Sequence, residues 1–266
     1  TGLASTATST SIKLTWDKMS DATGYQVYQY KGGKWVRLGN TSGTSYTISK
    51  LSANKQYSFK VRVYKKGSSG YEYGEFAAIT PYTALPKVTG LKVKKATTSA
   101  ITLTWSKVSG AAGYQVYQYK GGKWVRIGNA SSNSYTVSKL SAGTTYKFYV
   151  RAYKKNGKSY NYGENSSSLS AKTALGQTTG LKAASRKKTS ITLSWSKVTG
   201  ATGYQVYQYK GGKWVKVGTV KTNKFTSSSL TRNTQYQYKV RAYGTVNGKT
   251  AYGAYSSTLK AKTTIF

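Results

Sequence analysis

Aromatic and basic side chains alternate in one stretch that this chain repeats three times without change. The stretch reads Gly-Tyr-Gln-Val-Tyr-Gln-Tyr-Lys-Gly-Gly-Lys-Trp-Val and occupies residues 24–36, 113–125 and 203–215. Tyrosine and tryptophan rings can stack on the faces of sugar rings or nucleobases, while lysine and arginine meet acidic groups. The chemistry that these residue types favour is therefore binding of a sugar-containing or anionic partner.

Residue types that support catalysis or metal binding are scarce in the rest of the chain. Cys and His are absent, so thiol and disulfide chemistry are excluded and a zinc or redox site lacks its usual ligands. The five acidic residues are Asp17, Asp21, Glu72, Glu75 and Glu164. Because no acid–base pair can recur along the chain, we expect no enzyme activity, no metal site and no cofactor. Asp17 and Asp21 are expected to form hydrogen bonds in a turn.

The net charge of the 266-residue chain is +37 at pH 7, and it grows toward the carboxyl end. Residues 1–86 carry about +7, residues 87–176 about +14 and residues 177–266 about +16. Charge of this size favours contact with polyanions such as phosphate polymers, nucleic acid or acidic glycans. The alternative is a charged surface that serves only to keep the protein in solution.

The chain consists of three copies of one unit. The identical stretches lie 89 and 90 residues apart, and the same offsets separate Trp16, Trp105 and Trp195. A unit of about 90 residues can close its own core, so each copy is expected to form a domain. The expected domains, called copy 1, copy 2 and copy 3 below, are residues 1–85, 86–175 and 176–266.

The segments between and around the copies indicate a compact array. The junctions 84–88 and 174–178 are about five residues long, which predicts closely coupled domains. No apolar run approaches the length of about 20 residues that spans a bilayer, so no membrane insertion is expected. Because Thr1 opens directly on domain sequence, we expect a monomeric array within a larger parent chain.

Alternation of apolar and polar residues predicts β-strands. Ile12, Leu14 and Trp16 fall on one side of the first clear strand, with Lys13 and Thr15 on the other. The repeated stretch forms two such runs around Lys-Gly-Gly-Lys, where the glycines supply the positive φ that a tight hairpin turn requires.

The remaining pattern extends the strand prediction to the whole unit. Further strands are expected at residues 46–48 and 57–64 and after Gly74, and loops at residues 65–70 and 154–158. Apolar residues never hold a helical spacing. Each copy is therefore predicted to be all-β, with about seven short strands in a two-sheet sandwich.

Three features resemble the fibronectin type III domain, an immunoglobulin-like sandwich. They are the tryptophan of the second strand, the Gly-Tyr-x-Val of the third, and Leu51 followed six residues later by Tyr57. The last spacing is similar to the tyrosine corner of such sandwiches, and it recurs at Leu140 and Tyr146 and at Leu230 and Tyr236. The details resemble bacterial extracellular modules, and an Arg-Gly-Asp triplet is absent. The resemblance implies spacing, display and binding on the outside or surface of a bacterium, expected to be Gram-positive, and does not imply catalysis.

Strand alternation divides the repeated stretch into an inner and an outer side. In copy 1 we place Tyr25, Val27, Val36 and Leu38 in the core. The outer side then carries aromatic and basic residues close enough to form one platform, which we call the aromatic–basic face. Its predicted ligand-binding residues are Tyr28, Tyr30, Trp35, Arg37, Arg62 and Tyr64 in copy 1, Tyr117, Tyr119, Trp124, Arg126, Arg151 and Tyr153 in copy 2, and Tyr207, Tyr209, Trp214, Lys216, Arg241 and Tyr243 in copy 3.

The aromatic–basic face leads to a functional prediction with alternatives. We expect a non-catalytic module that binds a polysaccharide or an anionic cell-wall polymer, since three weak sites on one array act together. The alternative is a passive spacer for a catalytic or anchoring domain, with the rings merely covering the sheet. Nucleic acid is a third partner that charge and aromatic residues would allow.

One position predicts a difference in stability between the copies. Ser227 of copy 3 stands where copies 1 and 2 have Ile48 and Val137. A hydroxyl in place of inward methyl groups weakens the core. Isolated copy 3 is therefore expected to unfold at a lower temperature than isolated copy 2.

Overall fold

A computed structural model describes residues 2–157 and 159–265 of the chain, so Thr1, Lys158 and Phe266, which fall within the predicted domains and one predicted loop, lie outside the described residues. The described part is all-β, with eight strands per copy where about seven were expected. Nothing in it forms a helix of the length and apolarity that crossing a membrane requires.

The eight strands follow each other in the same order in every copy, although the sixth strand of copy 1 begins later and its eighth strand lies earlier than in copies 2 and 3. In copy 1 they are β1 (Ala4–Ala7), β2 (Ile12–Thr15), β3 (Gly24–Lys31), β4 (Lys34–Thr41), β5 (Ser45–Ile48), β6 (Phe59–Gly67), β7 (Gly70–Tyr73) and β8 (Ala77–Ile79). In copy 2 they are β9 (Lys92–Ala96), β10 (Ile101–Thr104), β11 (Gly113–Lys120), β12 (Lys123–Ala130), β13 (Ser134–Val137), β14 (Thr145–Asn156), β15 (Ser159–Tyr162) and β16 (Leu169–Lys172). In copy 3 they are β17 (Lys182–Arg186), β18 (Ile191–Ser194), β19 (Gly203–Lys210), β20 (Lys213–Val220), β21 (Lys224–Ser227), β22 (Gln235–Val246), β23 (Lys249–Tyr252) and β24 (Leu259–Lys262).

Each copy is a sandwich of two antiparallel sheets, as predicted. In copy 1 the smaller sheet has the order β1-β2-β5, and the larger has the order β4-β3-β6-β7, with β8 also paired to β6. Copies 2 and 3 repeat this order. The repeated stretch therefore forms a hairpin on one side of the larger sheet.

The core lies between the sheets and is built by the alternation that the sequence shows. Ile12 and Leu14 of β2 face Tyr25 and Val27 of β3, and all four are buried in one cluster. Equivalent clusters fill copies 2 and 3. Burying such side chains contributes about 1.5–3 kcal/mol each, which is the main stabilising term for the sandwich.

The tyrosine corner predicted from the resemblance is present in all three copies. The backbone N–H of Ser52 donates to Tyr57 Oη at 2.9 Å. The corresponding bonds run from Ser141 to Tyr146 and from Thr231 to Tyr236, both at 2.8 Å. In copies 2 and 3 the bond ties the turn that precedes the long strand of the larger sheet to that strand, and in copy 1 to the residue two positions before it.

Two predictions about the larger sheet are wrong. Val36 is 37% exposed and does not join the core, because the eight-residue strands β3 and β4 extend past the four-residue strands of the smaller sheet. Residues 65–70 and the described part of 154–158 are not free loops, since β6 continues to Gly67 and β14 to Asn156 before tight turns.

The core around Ser227 differs from the prediction in one respect. Ser227 is buried, as expected, but Tyr238 also lies in this core, where Phe59 and Phe148 occupy copies 1 and 2. Burial raises the pKa of Tyr238, and the Ser227 side chain, acting on the same hydroxyl, lowers it. The Ser227 and Tyr238 hydroxyls are thus polar neighbours, although Tyr238 Oη has no hydrogen-bond partner among the described residues.

Candidate binding face

Cross-strand pairing brings the predicted residues of the hairpin to the outer side of the larger sheet. Tyr28 lies opposite Arg37, and Tyr30 lies opposite Trp35. A bulge after Val27 sets this register. Copies 2 and 3 have the same pairing and the same bulge.

Strand β6 adds Lys60, Arg62 and Tyr64 to the same side. Pairing with β3 places Arg62 opposite Gln26 and Tyr64 opposite Gly24. Because the equivalent pairs recur in copies 2 and 3, the structure brings together the six predicted residues within each copy.

A hydrogen-bonded group occupies the centre of this face. Gln26 Oε1 accepts bonds from Arg62 Nε at 2.9 Å and from Tyr28 Oη at 3.0 Å. The same two bonds join Arg151 and Tyr117 to Gln115 and Arg241 and Tyr207 to Gln205. Gln26 is buried although its side chain points outward, because Arg62 and Tyr28 cover it. The arginine of each copy is thus bonded to the neighbouring strand and helps to hold the sheet together.

The other face of this arginine packs on a tyrosine that the sequence argument missed. The Arg62 guanidinium carbon lies 4.0 Å from the ring centroid of Tyr73 in β7. The equivalent distances are 4.1 Å for Arg151 on Tyr162 and 4.2 Å for Arg241 on Tyr252. The signal that could have revealed these residues is the Tyr-Gly pair at residues 73–74, which recurs at 162–163 and 252–253.

Tyr64 also has a packing role. A Cβ atom on Gly24 would lie 2.8 Å from Tyr64 Oη and 2.9 Å from the backbone oxygen of Thr41. Only glycine leaves room for this ring, which explains why the repeated stretch begins with glycine. We call Gln26, Tyr28, Arg62, Tyr64 and Tyr73, with their equivalents, the inner cluster.

The turn end of the hairpin is different because its aromatic residues face solvent. The rings of Tyr30 and Trp35 meet edge to face with centroids 5.4 Å apart, and Tyr30 is 48% exposed. Lys31 and Lys34 lie directly opposite each other one position nearer the turn, where strand alternation directs their side chains to the other side of the hairpin. We call these four residues, with their equivalents in copies 2 and 3, the hairpin tip.

Like charges that face each other across two strands are destabilising. Every copy nevertheless has such a lysine pair at the hairpin tip. The turn itself does not require the lysines, because the two glycines between them adopt the positive φ that it needs. Arg37, Arg126 and Lys216 are also exposed beside the tip. The tip therefore combines open aromatic edges with a concentration of positive charge.

The centre of the face is not identical in the three copies. In copy 1, Lys60 Nζ lies 4.7 Å from the Trp35 ring and 3.9 Å from the Phe76 ring. Lys239 has the same surroundings in copy 3, at 4.4 Å from Trp214 and 4.2 Å from Tyr255. These lysines are enclosed by rings and contribute cation–π contacts.

Copy 2 carries Tyr149 where copies 1 and 3 have the enclosed lysine. Its ring stacks on Tyr117 at 4.5 Å and meets Trp124 at 4.7 Å. Burial raises the pKa of Tyr149, the neighbouring Tyr117 raises it further, and Arg151 lowers it. Copy 2 therefore has a more aromatic and less positive centre.

The carboxylates of the described residues do not gather into a group that could hold a metal ion. Asp21 lies 3.7 Å from Lys65 in an exposed ion pair. The prediction that Asp21 forms hydrogen bonds in a turn did not include this ion pair. Within residues 2–157 and 159–265, no three acidic side chains come close enough together to hold a metal ion.

Comparison with known proteins places this architecture in a family. A fibronectin type III domain model matches residues 2–79, 86–168 and 176–260. The chain is 31% identical over 294 residues to exoglucanase B of Cellulomonas fimi, covering 99% of this chain and 26% of that protein. It is 29% identical over 265 residues to receptor-type tyrosine-protein phosphatase H of Homo sapiens, covering 93% of this chain and 22% of that protein. The chain thus spans about a quarter of the length of these relatives.

A solved structure aligns with nearly the whole chain at low similarity. The FN1-FN3 domains of chicken CNTN1 align with 99% of this chain and 97% of their own length, at 20% identity and a TM-score of 0.32. The three family matches cover most of the chain, one for each copy. The sheet order, the tyrosine corners and these matches agree, and the chain belongs to the fibronectin type III family.

Proposed function

We propose that this chain is a non-catalytic, extracellular tandem module that binds an anionic polymer, such as an acidic polysaccharide or cell-wall glycan, through its three hairpin tips. The observation that carries the proposal is the exposed edge-to-face pair of Tyr30 and Trp35 at the end of a hairpin whose next cross-strand pair is the exposed Lys31 and Lys34, so that a ligand crossing the end of the hairpin meets both. An anionic chain would relieve the repulsion between the lysines while its sugar rings meet the aromatic edges.

The contacts within the inner cluster reduce the number of predicted residues that are available to contact a ligand. Arg62 is engaged by Gln26 and Tyr73, so it stabilises the sheet on which the tip is mounted and is a weaker candidate for ligand contact. Of the predicted residues, Tyr30, Trp35 and Arg37 are the exposed ones in copy 1. The ligand therefore contacts the tips, and the inner cluster supports them.

Multivalency and similarity to relatives support the polymer as partner. Three tips on one array raise the apparent affinity for a repeating ligand well above that of one tip. Exoglucanase B is named for action on a glucan, and part of it is similar to this whole chain. Placement outside a bacterial cell is part of the same proposal, and the Gram-positive assignment stays a prediction.

The test compares two variants that lose the same charge. One replaces the six tip lysines by Gln, namely Lys31, Lys34, Lys120, Lys123, Lys210 and Lys213. The control replaces six exposed lysines of the smaller sheets by Gln, namely Lys13, Lys92, Lys94, Lys95, Lys182 and Lys224. Binding to polygalacturonate, measured by calorimetry at low salt, should fall at least tenfold further in the tip variant than in the control.

Other outcomes identify the alternatives. Equal losses in the two variants would show attraction by overall charge and contradict the tip assignment. Tighter binding of double-stranded DNA than of polygalacturonate at the same salt concentration would favour nucleic acid. Absence of binding to either polymer and to cell walls, with folding verified, would leave the spacer function.

A further inference from the structure

The three copies meet at two junctions, and the contacts at the two differ. At the first junction, Leu85 is buried in the core of copy 2 and pairs with Gly163 in a parallel bridge. The amide nitrogen of Asn161 also donates to the backbone oxygen of Thr83 at 2.9 Å and to Oδ1 of Asn54 at 3.2 Å. These contacts join copy 1 to copy 2.

At the second junction, one asparagine side chain pairs with the backbone of the preceding copy. Leu175 is buried in the core of copy 3. Beside this anchor, Oδ1 of Asn247 accepts a bond from the backbone N–H of Lys172 at 2.7 Å, and Nδ2 of Asn247 donates to the backbone oxygen of Lys172 at 3.0 Å. Lys172 ends β16, which pairs with β14 on one side. The amide of Asn247 therefore takes the place of a neighbouring strand on the other side of β16.

The side chain of Lys172 adds two more bonds between copies 2 and 3. Its Nζ donates to the backbone oxygens of Gly200 at 3.0 Å and Thr245 at 3.3 Å. A Cβ atom on Gly200 would collide with the backbone oxygen of Gly143 in copy 2, so the two copies lie in close contact here. The second junction thus holds Asn247 against β16.

Asn247 and Gly248 form a two-residue turn at the end of a hairpin. Val246 of β22 pairs with Lys249 of β23, which leaves these two residues as the turn. Their φ angles of +49° and +82° are typical of a type I′ turn, for which Asn-Gly is a preferred sequence. Both residues are exposed, so water reaches the asparagine amide.

An Asn-Gly pair can lose ammonia without an enzyme. The backbone nitrogen of Gly248 gives up its proton and attacks Cγ of Asn247. The bond from Cγ to Nδ2 breaks, Nδ2 leaves with that proton as ammonia, and a five-membered imide forms. Water then opens the imide at either carbonyl, which gives aspartate or isoaspartate. Glycine favours the attack because it has no side chain beside the attacking nitrogen.

The contact with copy 2 opposes this reaction. Attack turns the planar amide of Asn247 into a tetrahedral centre, so the amide must first leave the backbone of Lys172. The other Asn-Gly pair of the chain, Asn156 and Gly157, provides a comparison. Nδ2 of Asn156 has no hydrogen-bond partner among the described residues. The reaction at Asn247 therefore depends on opening of the second junction, and the reaction at Asn156 does not.

Conversion permanently removes the paired contact. Aspartate and isoaspartate have no side-chain N–H, so neither product can donate to the backbone oxygen of Lys172. Isoaspartate also places Cβ in the main chain, which adds one atom to the turn and shortens the side chain by one carbon. The first junction is less susceptible to this change, because Asn161 is followed by Tyr162, whose side chain crowds the attacking nitrogen.

We propose that Asn247 is a deamidation site that its contact with copy 2 holds back. Opening of the second junction allows the reaction, and the reaction prevents the junction from closing with the same contacts. This inference is independent of polymer binding at the hairpin tips.

The first test follows deamidation of the full chain by peptide mapping and mass spectrometry during incubation at mildly alkaline pH. Lys172→Met keeps the length of the side chain but removes its bonds to Gly200 and Thr245. Asn247 should convert several-fold faster in this variant than in the unmodified chain, while Asn156 converts at the same rate in both. The control, Lys147→Met, removes the same charge from an exposed position of copy 2 and should leave both rates unchanged.

Three results of this experiment would overturn the proposal. If Asn247 converts at the same rate in Lys172→Met and in the unmodified chain, the junction does not hold the reaction back. Equal acceleration by Lys147→Met would assign the effect to overall charge. No conversion of Asn247 in any of the three proteins would show that the turn is inert.

The second test measures what conversion does to the junction. Full chain with Asn156→Gln, in which Asn247 is in the one remaining Asn-Gly pair, is aged and separated by ion exchange into isoaspartate and unconverted forms. Hydrogen exchange across residues 169–175 should be several-fold faster in the isoaspartate form, because β16 has lost its paired contact. Equal exchange in the two forms would contradict the proposed loosening of the junction.

Discussion

Lys31 and Lys34 face each other directly across the β3–β4 hairpin, one position nearer the turn than the paired rings of Tyr30 and Trp35. Replacing Lys34 by Glu converts a repulsive cross-strand pair into an attractive one. We expect the free energy of unfolding of copy 1 to rise by about 0.2–1 kcal/mol, while binding to an acidic polysaccharide weakens. Urea denaturation and calorimetry measure the two effects. Lys13→Glu is the control. Lys13 lies opposite Thr6 and Thr47 in the smaller sheet, so this variant relieves no repulsion between lysines and should not raise the free energy of unfolding.

Gln26 supplies the acceptor that holds the inner cluster together. Gln26→Met keeps the volume but leaves Arg62 Nε and Tyr28 Oη without their acceptor. We expect a loss of about 1–3 kcal/mol in the stability of copy 1, measured by chemical denaturation. Gln56→Met removes an exposed bond to Thr80 and should change stability by less than about 0.5 kcal/mol. Similar losses at both sites would contradict a structural role for the cluster.

Gly24 is required because Tyr64 and the Thr41 backbone leave no room for a Cβ atom. Gly24→Ala should therefore lower the stability of copy 1 by about 1–3 kcal/mol through overpacking. Gly43→Ala is a matched control, since its Cβ would lie an ordinary 3.5 Å from Thr41 Oγ1. Thermal unfolding should show a loss for the first variant and little change for the second.

The Ser227 and Tyr238 side chains should be energetically coupled. Ser227→Val removes the polar neighbour of the buried Tyr238 hydroxyl and adds volume, whereas Tyr238→Phe removes the hydroxyl itself. The double variant recreates the valine and phenylalanine of copy 2, so its loss should be smaller than the sum of the single losses by about 0.5–3 kcal/mol. Additive losses in a double-mutant cycle would show that the pair is independent.

Copy 2 should lose stability in alkaline solution because of Tyr149. Burial raises the folded pKa of this tyrosine above its ordinary value of 10.0, so the folded state holds the proton more tightly than the unfolded state. Stability is complete below pH 10 and falls as the pH rises through the folded pKa. Unfolding measured between pH 9 and 11 should show a shallower fall in Tyr149→Phe. Tyr160→Phe, at an exposed position, should keep the full pH dependence.

Much of the fold follows from the sequence, and the exceptions have physical causes. Alternation assigned Tyr25 and Val27 correctly to the core, because β3 is covered there by the smaller sheet. It failed for Val36 because alternation gives the side of a strand and not the length of the sheet above it. It placed Gln26 outward correctly but could not show that long neighbouring side chains bury it.

The sequence predicted which residues share the outer face of the larger sheet. Only the structure showed that they form two groups, the inner cluster and the hairpin tip. Spacing brought Tyr28, Trp35 and Arg62 to one face, but their separation into a packed cluster and an open tip depends on Tyr73. This residue lies in β7, a short strand within a segment rich in glycine and serine, so local composition concealed it. The temperature order predicted for isolated copies 2 and 3 stays a prediction. Fragments made to test it must retain Leu85 and Leu175, because these residues are buried in the cores of copies 2 and 3.

The burial of Leu85 and Leu175 also determines how the array carries mechanical load. Tension along the chain reaches each of these leucines before it reaches the strands of the copy that they anchor. The first contacts on the load path are the Leu85–Gly163 bridge with the bonds from Asn161 to copy 1 at one junction, and the bonds between Lys172 and Asn247 at the other. A stretched array therefore lengthens first at its junctions, by small releases that leave the β-sandwiches folded.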